Sequence, residues 1–174
     1  MVIYRGMRIF IIGYMGAGKS TVGKRLANKL SIPFVDLDDA FEAKYRYSIP
    51  RFFEHFGEER FREFENQCLK EIILEHDTAV ISTGGGTACS DRNMLLMNSE
   101  GTTVYIKMTP KSLAHRLNHA RRLRPVVRDI QNEDMLGFVE DQLSERELFY
   151  SRAKHTVKGE DLDLEELVEI IESF

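Results

Sequence analysis

The sequence predicts an α/β fold of three layers, with a central five-stranded parallel sheet covered by helices on both faces. Three observations predict it. Short apolar runs alternate along the chain with longer stretches of helical period. A glycine-rich turn joins the first apolar run to the first helix. No apolar run approaches the ~18 residues of a membrane-crossing helix, so the apolar segments are core strands and helix faces.

Taken in order, Met7 to Ile12 reads as a buried strand and Gly18 to Leu30 as a helix with Val22, Leu26 and Leu30 on one face. Phe34-Val35 begins a second strand. Residues Asp38 to Glu75 are charged, rich in Phe and helical in pattern, with a break near Gly57. Ala79-Val80-Ile81 is a third strand ending at Gly84-Gly85-Gly86, and Thr102 to Ile106 a fourth. A helix starts near Pro110, and Asn132 to Phe149 is helical. His155-Thr156-Val157 is a last short strand, and Asp163 to Ser173 a last helix, where Asp163 and Glu166 have the spacing of a capping box. Strands separated by helices make a parallel sheet. No internal repeat is visible, and residues 1–174 read as one domain.

Composition removes several classes of function. The chain has 174 residues, 43% of them hydrophobic and 30% charged, which excludes a disordered or low-complexity protein. Lys and Arg total 24 against 28 Asp and Glu, so bulk charge does not favour nucleic acid. A membrane partner is not expected either. Cys68 and Cys89 lack metal or redox spacing, and the five histidines lack ligand spacing. A cytoplasmic, monomeric protein with free thiols is expected.

Gly13-Tyr14-Met15-Gly16-Ala17-Gly18-Lys19-Ser20 matches the phosphate-loop pattern in full. Glycines let successive N–H groups converge on phosphate oxygens, and the following helix adds its positive end. Lys19 supplies a cation to the β- and γ-phosphates, and the Ser20 hydroxyl can ligate Mg²⁺. The base-reading Asn-Lys-x-Asp element of a switch GTPase is absent from the sequence. A short chain with two insertions near the carboxyl edge of the sheet suggests a small-molecule kinase whose lid excludes water. One insertion is helical and spans about 36–65. The other is a lid at about 118–131, where Arg121, Arg122, Arg124 and Arg128 crowd around Pro125.

The acceptor side offers candidates with two readings each. In an extended segment Asp36 and Asp38 point the same way, so one can hold Mg²⁺ through water while the other accepts a substrate hydroxyl or its proton. Alternatively Asp38 is a helix N-cap. Arg62 is either a surface ion-pair partner or a fork for a substrate carboxylate, and Arg146 faces the same choice. The Phe52, Phe53, Phe56, Phe61 and Phe64 cluster reads as packing. Gly84-Gly85-Gly86 implies a ligand or backbone close by, or else a bare turn. Arg124 either reaches the transferring phosphoryl group or belongs to a solvated loop.

Together these residues resemble the shikimate kinase family. The resemblance rests on the loop Gly13 to Ser20, Asp36-x-Asp38, Phe61-Arg62-x-x-Glu65, Gly84 to Gly86, Arg124-Pro125 and Arg146-x-x-x-Tyr150, in that order over residues 7–158. The family's lid Arg-Pro-Leu-Leu is Arg-Pro-Val-Val here, and the Pro of its Arg-x-Pro-Leu-Tyr is replaced by Leu148.

The resemblance implies a P-loop kinase fold and MgATP-dependent phosphorylation of the 3-hydroxyl of shikimate, on the route to chorismate and the aromatic amino acids. It implies ATP on Gly13, Gly16, Ala17, Gly18, Lys19, Ser20 and Thr21, with Arg116 against the adenine. Lys19 and Arg124 would stabilise the phosphoryl group, and Ser20 with Asp36 would serve Mg²⁺. Asp38 would bind the substrate hydroxyls or act as base. Arg62 and Arg146 would hold the carboxylate with Gly84, Gly85 and Gly86. The alternatives weighed are gluconate kinase, another small-molecule P-loop kinase, and a non-catalytic nucleotide-binding regulator.

Overall fold

The computed structural model describes residues 6–120 and 130–173. Strands β1 (Arg8–Ile12), β2 (Phe34–Asp36), β3 (Ala79–Ser82), β4 (Thr102–Lys107) and β5 (His155–Lys158) pair in the order β2-β3-β1-β4-β5, all parallel. The central strand β1 holds Ile9, Phe10, Ile11 and Ile12, all fully buried. Such a continuous apolar run is what a strand covered on both faces requires. Its registers are Ile9 with Val80 on one side and Ile11 with Val104 on the other.

Seven helices connect and cover the sheet among the described residues: α1 (Lys19–Leu30), α2 (Leu37–Tyr45), α3 (Ile49–Glu75), α4 (Asp91–Glu100), α5 (Pro110–Asn118), α6 (Met135–Tyr150) and α7 (Leu164–Glu172). Helix α1 buries Leu26, Ala27 and Leu30, while Val22 is only partly covered. In α7, Leu167 and Ile171 are buried and the carboxylates face outward. No helix among the described residues is long and apolar enough to cross a membrane.

The strands fall where the apolar runs put them; several helix details differ. Helix α4 has no counterpart in the expectation, because its apolar stripe is thin. Met94 and Met97 are buried, but Leu95 is 63% exposed. The segment 38–75 is not one helix. Chain direction changes at Arg46, whose φ of 56° is left-handed, and helix resumes at Ile49 with Pro50 in its first turn. The break at Gly57 is present, at φ 78°. Helix α6 starts at Met135 rather than Asn132. Asp163 caps α7 by accepting from the Glu165 N–H at 2.8 Å, in place of the capping box with Glu166.

The Phe-rich block is packing, as its spacing suggests. Phe41, Phe52 and Phe61 are buried, and the Phe41 ring meets the other two at centroid distances of 5.1 and 4.9 Å. Such aromatic contacts clamp α2 against α3, and so fix the helix that carries Arg62 and Glu65.

Candidate active site

Because β1 lies between β3 and β4, the chain beyond its carboxyl end emerges where the sheet order reverses, the usual place for a ligand in an open α/β sheet. The phosphate loop fills this place. Gly16 and Gly18 take φ values of 81° and 87°, which side chains resist, and α1 begins directly at Lys19. The first-turn N–H groups therefore face the loop's concavity. Lys19 is buried, and its Nζ donates to the Tyr14 carbonyl at 2.9 Å. Thr21 follows on the exposed side of the first turn. From α5, the Arg116 guanidinium donates to the Gly16 carbonyl at 3.3 Å and lies beside Gly18.

Ser20 Oγ donates to Asp36 Oδ2 at 2.5 Å and lies 3.4 Å from Ser82 Oγ. This donor set, hydroxyls with one carboxylate, fits Mg²⁺, which prefers hard oxygen ligands. No cluster of three or more His, Cys, Asp or Glu able to hold a metal exists among the described residues.

Asp36, not Asp38, is the N-cap of α2. Its Oδ1 accepts from the N–H groups of Asp38 at 3.0 Å and Asp39 at 3.4 Å. The two carboxylates do not share one side of an extended segment, because β2 ends at Asp36 and Asp38 sits in the first helical turn. The helix still delivers Asp38 to the site, with its Oδ1 2.9 Å from where a Cβ on Gly84 would stand.

The three glycines are a surface kept bare by crowding. A Cβ on Gly84 would meet Asp38, one on Gly85 would lie 3.0 Å from the Met15 backbone nitrogen, and one on Gly86 would lie 2.3 Å from Arg62 Nη2. The strip therefore touches a carboxylate, the phosphate loop and a guanidinium in succession.

Arg62 is an ion-pair partner that also lies against the glycine strip. Its guanidinium pairs with Glu58 at 3.1 Å and Glu65 at 3.0 Å, yet its side chain stays 34% exposed over the strip. Glu65 is 2% exposed and accepts from the Thr87 hydroxyl at 2.7 Å. Burial pushes its carboxyl above the usual carboxylate range, with Arg62 and the Thr87 hydrogen bond opposing.

Arg146 comes from α6 and lies over the Tyr14 ring, 5.3 Å from its centroid. Tyr150, one turn on, is buried and donates from its hydroxyl to the Gly85 carbonyl at 2.5 Å. Burial raises its pKa well above the ordinary value, the Arg146 charge opposing. Tyr105 of β4 stacks on Tyr150 at 5.0 Å and donates to Glu147 Oε2 at 2.7 Å. The structure thus brings together Lys19, Ser20, Asp36, Asp38, Arg62, Gly84 to Gly86, Arg116 and Arg146. Arg121, Arg122, Arg124 and Arg128, with Pro125, lie outside the described residues.

Sequence reasoning gives no role to Thr87 or to the side chain of Tyr14. The phosphate-loop pattern leaves the second position open, so Tyr14 carries no signal. Thr87 has a weak one, as the first hydroxyl after three glycines.

A five-stranded parallel sheet with this loop and a buried lysine at the start of α1 defines a P-loop kinase fold. The shikimate kinase family model matches residues 15–174. Shikimate kinases of Azobacteroides pseudotrichonymphae and Parabacteroides distasonis are 44% and 42% identical over 162 and 155 residues, covering 93% and 89% of this chain and 95% and 89% of theirs. The crystal structure of shikimate kinase from Bacteroides thetaiotaomicron superposes with a TM-score of 0.90 at 37% identity, covering 95% of this chain and 98% of that one. That of shikimate kinase from Acinetobacter baumannii in complex with shikimate gives 0.85 at 30%, covering 96% and 93%. The chain belongs to the shikimate kinase family.

Proposed function

We infer that this chain transfers the γ-phosphoryl group of ATP to the 3-hydroxyl of shikimate, giving shikimate 3-phosphate and ADP on the route to chorismate and the aromatic amino acids. The observation that carries the reading is the glycine strip Gly84 to Gly86. It borders Asp38 at one end and Arg62 at the other, and meets the phosphate loop at Met15 between them. Shikimate is a small triol with one carboxylate. Asp38 suits its hydroxyls, and the guanidinium forks of Arg62 and Arg146 suit its carboxylate.

In this reading the backbone of Gly13, Gly16, Ala17 and Gly18 cradles the phosphates, with Ser20 and Thr21 in the first turn of α1. Arg116, already against the loop at Gly16, packs beside the nucleotide base. Lys19 leaves the Tyr14 carbonyl for the β- and γ-phosphates, and Arg124 adds a second cation from the lid. Ser20 and Asp36 would hold Mg²⁺, which when bound would neutralise phosphate charge. Asp38 orients the 3-hydroxyl for in-line attack and takes its proton as the new O–P bond forms and the bond to ADP breaks. One domain, acting as a cytoplasmic monomer on small molecules, completes the reading, with the helical insertion and lid closing over the site.

A coupled assay of ADP release from MgATP tests it, with shikimate, gluconate and no acceptor side by side. Turnover with shikimate alone is expected. Turnover with gluconate instead overturns the acceptor assignment, and nucleotide binding without turnover on either overturns the enzyme reading.

Arg62→Ala raises the KM for shikimate about tenfold to a hundredfold, as expected for a lost charge-assisted hydrogen bond. The same change removes the partner of buried Glu65. Glu65 titrates higher in the folded than in the unfolded chain. Its contribution is thus fully present below the usual carboxylate range and is lost as pH rises through the folded value. Without Arg62 to oppose that rise, the variant loses more stability between mildly acidic and neutral pH than the parent does. Thermal melts across that range read the difference. An unchanged KM returns Arg62 to a surface ion-pair role.

A further inference from the structure

Tyr14 occupies the second position of the phosphate loop, where the nucleotide-binding pattern sets no residue type. The residue is nevertheless 1% exposed and fixed at three points. The carbonyl accepts from Lys19 Nζ at 2.9 Å. The hydroxyl donates to Gln142 Oε1 of α6 at 3.3 Å. The ring face carries the Arg146 guanidinium, 5.3 Å from its centroid. Gln142 and Arg146 stand one helical turn apart on α6, so one loop side chain grips that helix twice.

An arginine side chain has many rotamers, and a fork meant for a carboxylate gains affinity when its direction is set beforehand. Two rings stand around Arg146. Tyr150 is tied to the Gly85 carbonyl and stacked on Tyr105, and so belongs to the frame of the sheet. Tyr14 belongs to the loop that takes the nucleotide. Its ring offers the electron-rich face on which a guanidinium rests favourably.

We propose that Tyr14 is a positioning residue for the acceptor: the ring of a phosphate-loop side chain holds Arg146 in the direction that meets the substrate carboxylate. The inference rests on the assignment of Arg146 to shikimate made above. It makes acceptor affinity depend on a residue of the nucleotide subsite, at a position that the nucleotide itself does not constrain.

Steady-state kinetics of the full chain with shikimate and MgATP test it. Tyr14→Leu raises the KM for shikimate about fivefold to tenfold, the range of a partly desolvated cation–π contact. The KM for shikimate rises more than the KM for ATP does. Tyr14→Phe, which keeps the ring, restores the KM for shikimate. In an Arg146→Ala background the Leu change adds less than about twofold, because the group that the ring positions is gone. Tyr14→Met keeps the apolar volume without a ring face, and replaces the Leu variant if that protein melts early.

Three results overturn the proposal: an unchanged KM in Tyr14→Leu and Tyr14→Met, full additivity with Arg146→Ala, or equal rises in both KM values with no rescue by Phe. If the parent itself turns over no shikimate, the proposed function falls and takes this inference with it. An active parent with an indifferent Tyr14 overturns the inference alone.

Discussion

Replacing Lys19 by Ala lowers kcat about a hundredfold to a thousandfold, the cost of removing one preorganised cation from a developing negative charge. The buried position makes the effect large. Lys19 is 5% exposed, so bulk water screens its charge poorly. In the structure its ammonium is held by the Tyr14 carbonyl at 2.9 Å, a short swing from the loop's concavity. Lys19→Arg rescues little, because the planar fork needs more room than the compact ammonium. The KM for ATP changes less than kcat, since the loop's N–H groups still hold the phosphates. Single-turnover measurements at saturating ATP separate the two. A kcat within about tenfold of the parent's would assign the charge stabilisation to another group.

Asp38→Asn lowers kcat by about two decades, within the span for removal of a group that handles the acceptor proton. Its thermal midpoint hardly moves. The cap of α2 is Asp36, whose Oδ1 takes the backbone N–H groups of residues 38 and 39, and an amide side chain at the substituted position leaves those bonds intact. The charge lost in the first helical turn is worth only about 0.3–1 kcal/mol. Asp36→Ala also loses the cap, at about 1 kcal/mol, in addition to its loss of activity. A variant of Asp38 that unfolds outright would return that residue to a structural role.

The parts legible in the sequence are those where chemistry restricts residue type position by position. The phosphate loop leaves little freedom at its glycines, at Lys19 or at Ser20, so its register can be read directly. Strands buried on both faces, such as Ile9 to Ile12, announce themselves because every residue must be apolar. Helix α4 cannot be read in the same way, since an exposed Leu95 beside buried Met94 blurs its period.

That the cap of α2 is Asp36 and not Asp38 depends on where β2 stops, a matter of one residue that propensity does not resolve. The ion pair of Arg62 does not exclude its other reading, since the guanidinium that pairs with Glu65 also lies against the glycine strip. Contacts such as Thr87 with Glu65, or Tyr14 with Arg146, join segments far apart in the chain. No local pattern carries them.

The sheet order has a consequence for the way the chain acquires this site. Strand β1 is made before its two neighbours, which end only at Ser82 and Lys107. Until the second of these has been synthesised, Ile9 to Ile12 have an open edge, and bringing that partner in costs the entropy of closing a long loop. The strand that leads into the phosphate loop therefore keeps one edge unpaired until β4 is made. A chain cut off before β4 leaves that edge bare and prone to self-association.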